Sequence, residues 1–245
     1  MNFKNKIVVI TGASNGIGKA CAESFLTKNA RVYGIDTDKD NGEKIEEKFK
    51  NFTYIQGDIS NEIDISRAKK IILDKEGKVD ILINNAAKQT SSSFFETSIE
   101  DFKNVINTNL IGTFICSKII GELIDNNGKI INMLSVHSEV VRKNKYAYDA
   151  SKAGIEMLTK EMALEFVDSD ISVLGISYGA CNTDMNKEWI NIKEKRNETL
   201  EKIPMKWIAE PKEISNFVIS VLENFSDYTT GNIFTIDGGR SLLRW

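Results

Sequence analysis

Proline is scarce in this chain: Pro204 and Pro211 are the only two in 245 residues, and no repeat or low-complexity tract interrupts the sequence. No linker is therefore expected, and a chain of this length with 41% hydrophobic residues is long enough to bury one large core as a single domain. Cysteine is also sparse. Cys21, Cys116 and Cys181 lie far apart with no C-x-x-C pair, which suggests neither a disulfide framework nor a zinc site. Long apolar runs are missing: the first, Ile7 to Ile10, is too short for a signal peptide or a membrane span, so neither export nor membrane association is expected. Excess charge of either sign is missing too. The net charge is −3, the pI is near 5.5, and Lys and Glu are interleaved, which leaves no basic surface for nucleic acid. A cytoplasmic protein acting on a small molecule is the expectation.

What is present is a rhythm of short apolar runs: Ile7 to Ile10, Val32 to Ile35, Thr53 to Ile55, Ile81 to Ile83, Ile130 to Leu134, Ile171 to Ile176 and Ile233 to Ile236. Most are continuous rather than alternating, as expected of strands buried on both faces. Between the first two runs, Ile17, Cys21, Ala22 and Phe25 share one helical face, with Lys19 and Glu23 opposite. Repetition of this βαβ unit predicts an α/β fold: a Rossmann-type, doubly wound, seven-stranded parallel sheet with helices on both faces and ligands at the carboxyl ends of the strands. Residues 186–203 break the rhythm. They are polar and lysine-rich yet carry Trp189, Ile190 and Ile192, so they read as a substrate lid or as a solvated surface helix.

The first run leads into Thr11-Gly12-Ala13-Ser14-Asn15-Gly16-Ile17-Gly18. Glycines at this spacing permit a tight turn whose backbone N–H groups approach a pyrophosphate at a helix N-terminus. The second run ends in Asp36, whose carboxylate can accept both ribose hydroxyls of an adenosine, with Asp38 able to share the role. A 2′-phosphate there would meet repulsion of about 4 kcal/mol at ~4 Å and an effective dielectric of ~20, and neither Asn15 nor Thr37 supplies a cation. NAD is expected over NADP. Asp58 and Ile59 follow the third run, where they could flank an adenine, and Asn84, Asn85 and Ala86 end the fourth.

Tyr148 and Lys152 lie at i and i+4, so on a helix they share one face with Cβ atoms about 5–6 Å apart. An ammonium so placed can stabilise tyrosinate. Lowering a phenol from a pKa near 10 to about 7 takes about 4 kcal/mol, which Lys152 and an oxidised nicotinamide together could supply. Tyr148 would then act as general base toward an alcohol, with Ser135 hydrogen-bonding the same oxygen. No metal is required.

The ordered set of Thr11 to Gly18, Asn84 to Ala86, Asn109 in Asn109-Leu110-Ile111-Gly112, Ser135, Tyr148 with Lys152, Thr230-Gly231 and Asp237-Gly238-Gly239 resembles the short-chain dehydrogenase/reductase family, in its subgroup of about 250 residues. The resemblance spans essentially the whole chain. It implies that Asn109 anchors a water through which protons leave and that Lys152 binds the nicotinamide ribose. It further implies that Thr183 and the Cys181 backbone hold the carboxamide, with Gly179 among the cofactor contacts. A homotetramer built partly on the helices of 109–121 and 148–166 is also implied. Two departures stand out: Tyr178 replaces the family's proline before Gly179, and Ala87 replaces the glycine after Asn-Asn-Ala.

For the substrate, Gln89, His137, Glu139 and Asn182 could form a polar pocket, whereas Tyr178 and Trp189 could instead form apolar or stacking walls. His137 is equally readable as a loop residue without a role. The polar set, with the loop from Ser135 to Lys143, favours an NAD-dependent sugar or polyol dehydrogenase interconverting a secondary alcohol and a ketone, or a lactol and a lactone. Two alternatives are a 3-oxoacyl-thioester (acyl-carrier-protein) reductase, against which Asp36 argues, and a non-catalytic dinucleotide-binding sensor, which loss of a catalytic residue would have favoured.

Overall fold

In a computed structural model of the chain, which describes residues 2–224, 226 and 228–243, the seven apolar runs form seven strands. They are β1 (Ile7–Thr11), β2 (Arg31–Asp36), β3 (Phe52–Gln56), β4 (Val79–Asn84), β5 (Ile124–Met133), β6 (Ser172–Tyr178) and β7 (Ile233–Ile236). All pairings are parallel, in the order β3-β2-β1-β4-β5-β6-β7. The order reverses between β1 and β4. Loops leaving these two strands in opposite directions open a crevice at their carboxyl ends.

Both faces of the sheet are apolar, and β1 shows why. Val8 and Ile10 belong to one core cluster with Phe25, Ile214 and Val218, whereas Ile7 and Val9 belong to the other with Ile65, Ile72 and Ile120. Successive side chains of a strand point to opposite faces, so a continuous apolar run feeds two cores at once. Helices α1 (Gly16–Thr27), α2 (Lys39–Lys48), α3 (Glu62–Glu76), α4 (Ile99–Ile106), α5 (Gly112–Gly121) and α6 (Tyr146–Glu165) follow in chain order. Beyond β6 come α7 (Lys187–Ile190), α8 (Lys193–Glu201) and α9 (Pro211–Glu223). The ends of these helices are marked locally. The Asn61 side chain accepts the Ile63 N–H to start α3, Gly77 in the left-handed region ends it, and α9 opens with Pro211 inside a Glu210/Glu213 capping box.

Two departures from the apolar pattern bear on the site. β5 begins at Ile124, six residues before the apolar run, because Ile124 pairs with Val79 while the polar segment that follows shifts the register. Between α4 and α5 the chain widens into a π-helical turn, Asn107–Ile111, which buries Thr108 and Asn109. Such turns recur at functional sites. No helix among the described residues is long and apolar enough to cross a membrane.

Candidate active site

A cleft of 1270 Å³ runs along the carboxyl ends of the strands. At one end it is floored by the turn after β1. Gly12 has φ +66°, and a Cβ there would come within 2.8 Å of the Ala86 Cα, so the turn can press against the end of β4 only with glycine at this position. Gly18 is not part of the cleft wall. A Cβ on it would sit 2.0 Å from the Gly12 carbonyl oxygen, so its role is to let the first turn of α1 lie directly on the turn after β1. Asn85 locks this arrangement by donating to the carbonyls of Thr11 and Gly12 at 3.0 and 3.1 Å.

Asp36 lines the same end of the cleft. Ser14 N–H donates to its Oδ2 at 2.8 Å and Asp38 N–H to its Oδ1 at 3.0 Å, which fixes the carboxylate plane and leaves each oxygen a further lone pair. Ser14 itself is buried and does not line the cleft, so it acts through Asp36. The second carboxylate, Asp38, is held below the usual range first by the Asn41 backbone N–H at 3.1 Å and then by the Asn15 and Asn41 side-chain amides, which donate to it at 2.8 Å each. Asn15, Gly16, Ile17, Asp58, Ile59, Asn85 and Ala86 complete this wall.

At the other end, Ser135 at the end of β5 and Tyr148 on α6 both line the cleft. Helix α6 buries Ala147, Tyr148, Ser151, Lys152, Ile155, Thr159 and Met162, a single stripe at helical spacing that carries the two reactive side chains inward. Lys152 lies beneath the cleft surface. Its Nζ donates to the Met133 carbonyl at 2.7 Å and stands 5.6 Å from the centre of the Tyr148 ring. Burial pushes its pKa down to about 7. Asn109 is fully buried: its amide donates to the Lys88 carbonyl and to Ser151 Oγ at 2.9 Å each, and its oxygen accepts the Lys88 N–H at 2.7 Å. Because Ser151 donates in turn to the Tyr148 carbonyl, Asn109 ties the π-turn to the first turn of α6.

The Tyr148 phenol is raised above its ordinary value, chiefly by burial, while hydrogen bonding from Ser135 and then from Tyr178 acts in the lowering direction. Tyr178 is thus more than a wall: at the position of the family's proline it places a hydroxyl beside the reactive phenol. We expect Tyr178→Phe to raise the Tyr148 pKa, and the alkaline rise of the oxidation rate should then move to higher pH by about half a unit or more. An unshifted pH profile would show that Tyr178 only packs.

The residues expected at the substrate end separate. Gln89, His137, Tyr178 and Trp189 line the cleft, as do Gly179 and Thr183 on the cofactor side. Asn182 does not, because its amide is turned to the Glu210 carboxylate at 2.9 Å. Glu139 is exposed outside the lining. Cys181 is buried, and its carbonyl already accepts from Thr183 N–H and Asn186 Nδ2 at 3.0 and 2.9 Å, which leaves less of its backbone for a ligand. The His137 Nδ1 lies 2.9 Å from the Val140 carbonyl, an acceptor only, so that nitrogen carries the proton and Nε2 is the acceptor. Burial pushes His137 down to about 4, so it is neutral near pH 7. Residues from 186–203, among them Asn186, Trp189, Thr199 and Ile203, line one side of the cleft, where Trp189 Nε1 donates to Asn186 Oδ1 at 3.0 Å; just before them the Met185 carbonyl accepts from Gln89 Nε2 at 2.7 Å. Lys88, Arg142, Lys145 and Arg240 also line it, and no spacing in the sequence marks them.

Residues 12–241 match the family described as enoyl-(acyl carrier protein) reductase, one of the short-chain dehydrogenase groups. The chain belongs to the short-chain dehydrogenase/reductase family. It is 34% identical to 3β-hydroxysteroid dehydrogenase 1 of Eggerthella lenta over 249 residues, 98% of this chain and 95% of that one. It is 31% identical to glucose 1-dehydrogenase 2 of Bacillus subtilis over 250 residues, covering 98% and 96%. A solved structure from Agrobacterium tumefaciens, provisionally assigned as a gluconate dehydrogenase, superposes with a TM-score of 0.92 at 30% identity over 99% of this chain and 98% of that one. The chain is accordingly an oxidoreductase of CH–OH groups, in a family whose dehydrogenases use NAD(P).

Proposed function

We propose that this chain is an NAD-dependent dehydrogenase of hydroxylated, sugar-like secondary alcohols or lactols. The carrying observation is one continuous cleft with a glycine turn and the Asp36 carboxylate at one end and Tyr148, Ser135 and His137 at the other. A dinucleotide fits the turn because Gly12 keeps its backbone open, and when bound it supplies a hydride acceptor. Gly12, Asn15, Gly16 and Ile17 would hold the pyrophosphate, Asp36 the adenosine ribose, and Asp58, Ile59, Asn85 and Ala86 the adenine side. Gly179 and Thr183 would meet the nicotinamide end, near the buried Cys181.

Tyr148 Oη would remove the alcohol proton, and Ser135 Oγ would orient the same alcohol oxygen. Lys152 would favour the ionised phenol and bind the nicotinamide ribose. Asn109, bound to the Lys88 backbone, would position a proton exit beside it. Residues 186–203 would act as the lid that excludes water. The exposed Ile111, Phe114, Met157 and Leu164 on α5, on the π-turn before it and on α6 support a homotetramer, which sedimentation would test.

The NAD preference is supported by the Asp36 carboxylate in the cleft wall, with Asp38 bonded behind it and, among the described residues, no ion pair to Asp36. Calorimetry should find NAD at least tenfold tighter than NADP, and NADP binding as tightly as NAD would sink that assignment. The sugar reading is supported by the names of two of the three relatives above and by Gln89 and His137 in the wall, whereas the steroid name of the third favours Tyr178, Trp189 and Val141 as the working surface. A panel of aldoses, polyols, hydroxysteroids and hydroxyacyl thioesters, followed by NAD reduction, decides between them. A steroid or thioester with the highest kcat/KM would remove the sugar assignment.

A further inference from the structure

The substrate end of the cleft carries more positive charge than its own carboxylates neutralise. Arg142, Lys145 and Arg240 come from two places: the first two from the loop between β5 and α6, the third from the turn after β7. Among the described residues, none of the three charged side-chain groups has a carboxylate within 4.0 Å, although the Arg142 backbone N–H donates to Asp149 Oδ2 at 2.9 Å. The carboxylates that face them are Asp149, behind His137 at 3.6 Å, Glu188 in the lid, and Glu198, which Arg142 also helps to hold ionised. Of the acids on this side, Asp184 and Glu198 each have their own ion-pair partner, Lys187 and Lys202, and Glu201 lies beside the same helix end.

Two further details point inward. The Arg240 Nη1 is buried without any acceptor, an expensive state for a guanidinium N–H unless something else fills it. The Arg142 guanidinium is held 5.6 Å from the centre of the Trp189 ring, which fixes its direction without using its donors on a carboxylate. His137 registers all three charges, since Arg142, Arg240 and Lys145 each act to keep its imidazole neutral. These cations do not belong to the pyrophosphate end: β7 lies four strands from β1 in the sheet, on the order of 19 Å at ~4.8 Å per strand.

We infer that Arg142, Lys145 and Arg240 form a docking site for an anionic oxygen group, carboxylate or phosphate, on the hydroxylated substrate, beyond its reacting carbinol. This deepens the sugar-like reading above and rests on it for the placement of the carbinol at Tyr148. Planar guanidinium forks suit the paired oxygens of either group, and the neutral His137 between the cations and Tyr148 can accept a hydroxyl of the intervening chain.

The test compares an aldonate, the matching sugar phosphate and the matching neutral polyol, with and without Arg240→Gln and Arg142→Gln. At least one anionic congener should exceed the neutral one about tenfold in kcat/KM. That ratio should fall at least fivefold in each variant, and the KM of the anion should rise with ionic strength. Whichever anion leads identifies the group. Calorimetry of the same three compounds on the NADH-saturated enzyme reads binding apart from turnover. If no sugar of any charge is oxidised but an anion binds in an Arg240-dependent way, the sugar reading fails and the anion site stands. If the neutral polyol is the better substrate, or anion binding is indifferent to Arg240 and Arg142, the inference is overturned.

Discussion

Tyr148→Phe should reduce alcohol oxidation at least about a hundredfold, the lower range for losing a general base, while NAD affinity changes little. The substitution removes one oxygen and keeps the ring, which packs in a small cluster with Val105 and Ala147 and edge-on to His137 with 6.2 Å between ring centres. The fold should therefore survive, so a loss of rate can be read as chemistry. Because burial raises the phenol above its ordinary value, oxidation by the unaltered enzyme should quicken as pH rises and more tyrosinate forms. The Phe variant should lose that alkaline rise together with its rate. Turnover within tenfold of the parent, with the rise intact, would remove Tyr148 from the proton path.

The residues of this site were legible in the sequence to different depths, for physical reasons. Val8 to Ile10 and the other apolar runs announce buried strands because a strand covered on both faces must be apolar at every position. Tyr148 and Lys152 announce a shared face because helical geometry fixes i and i+4. By the same logic the start of β5 stays hidden: Ile124 pairs with Val79 through the backbone, and the polar residues after it carry no apolar signal. The fate of Asn182 was equally invisible, since its amide is taken by Glu210, 28 positions away, and only the packed tertiary structure brings the two together. Arg240 follows a recognisable Asp237-Gly238-Gly239 turn, yet nothing local says that the turn aims its side chain into the cleft. Tyr178 stands out in the sequence as a departure from the family's proline, but its approach to Tyr148 depends on β6 and α6 meeting across the sheet end. Contacts between loops are the part of a site that periodicity cannot encode.

Lys152→Met should raise thermal stability while reducing turnover at least a hundredfold. The ammonium of Lys152 is buried, and desolvation pushes its pKa from 10.5 down to about 7. Below about pH 7 the folded and unfolded states both hold the proton, and the folded state bears the full cost of a buried charge. Between about 7 and 10.5 the unfolded state binds more protons, so the cost shrinks as pH rises and this group contributes a stability that increases with pH. A shift of this size corresponds to roughly 5 kcal/mol. Methionine removes that penalty in a similar volume but leaves the Met133 carbonyl without its 2.7 Å donor, which costs about 1–3 kcal/mol. The net gain should appear as a rise in Tm of at least about 2 °C at pH 6 to 7, at about 2–4 °C per kcal/mol for a chain of this size, fading toward pH 10. NAD affinity should fall with turnover, because the same ammonium serves the phenol and the ribose. A Tm lowered at every pH, with NAD affinity unchanged, would show that Lys152 is held for packing; a gain in stability with loss of both functions would show a charge kept buried, at a cost to the fold, for its chemistry.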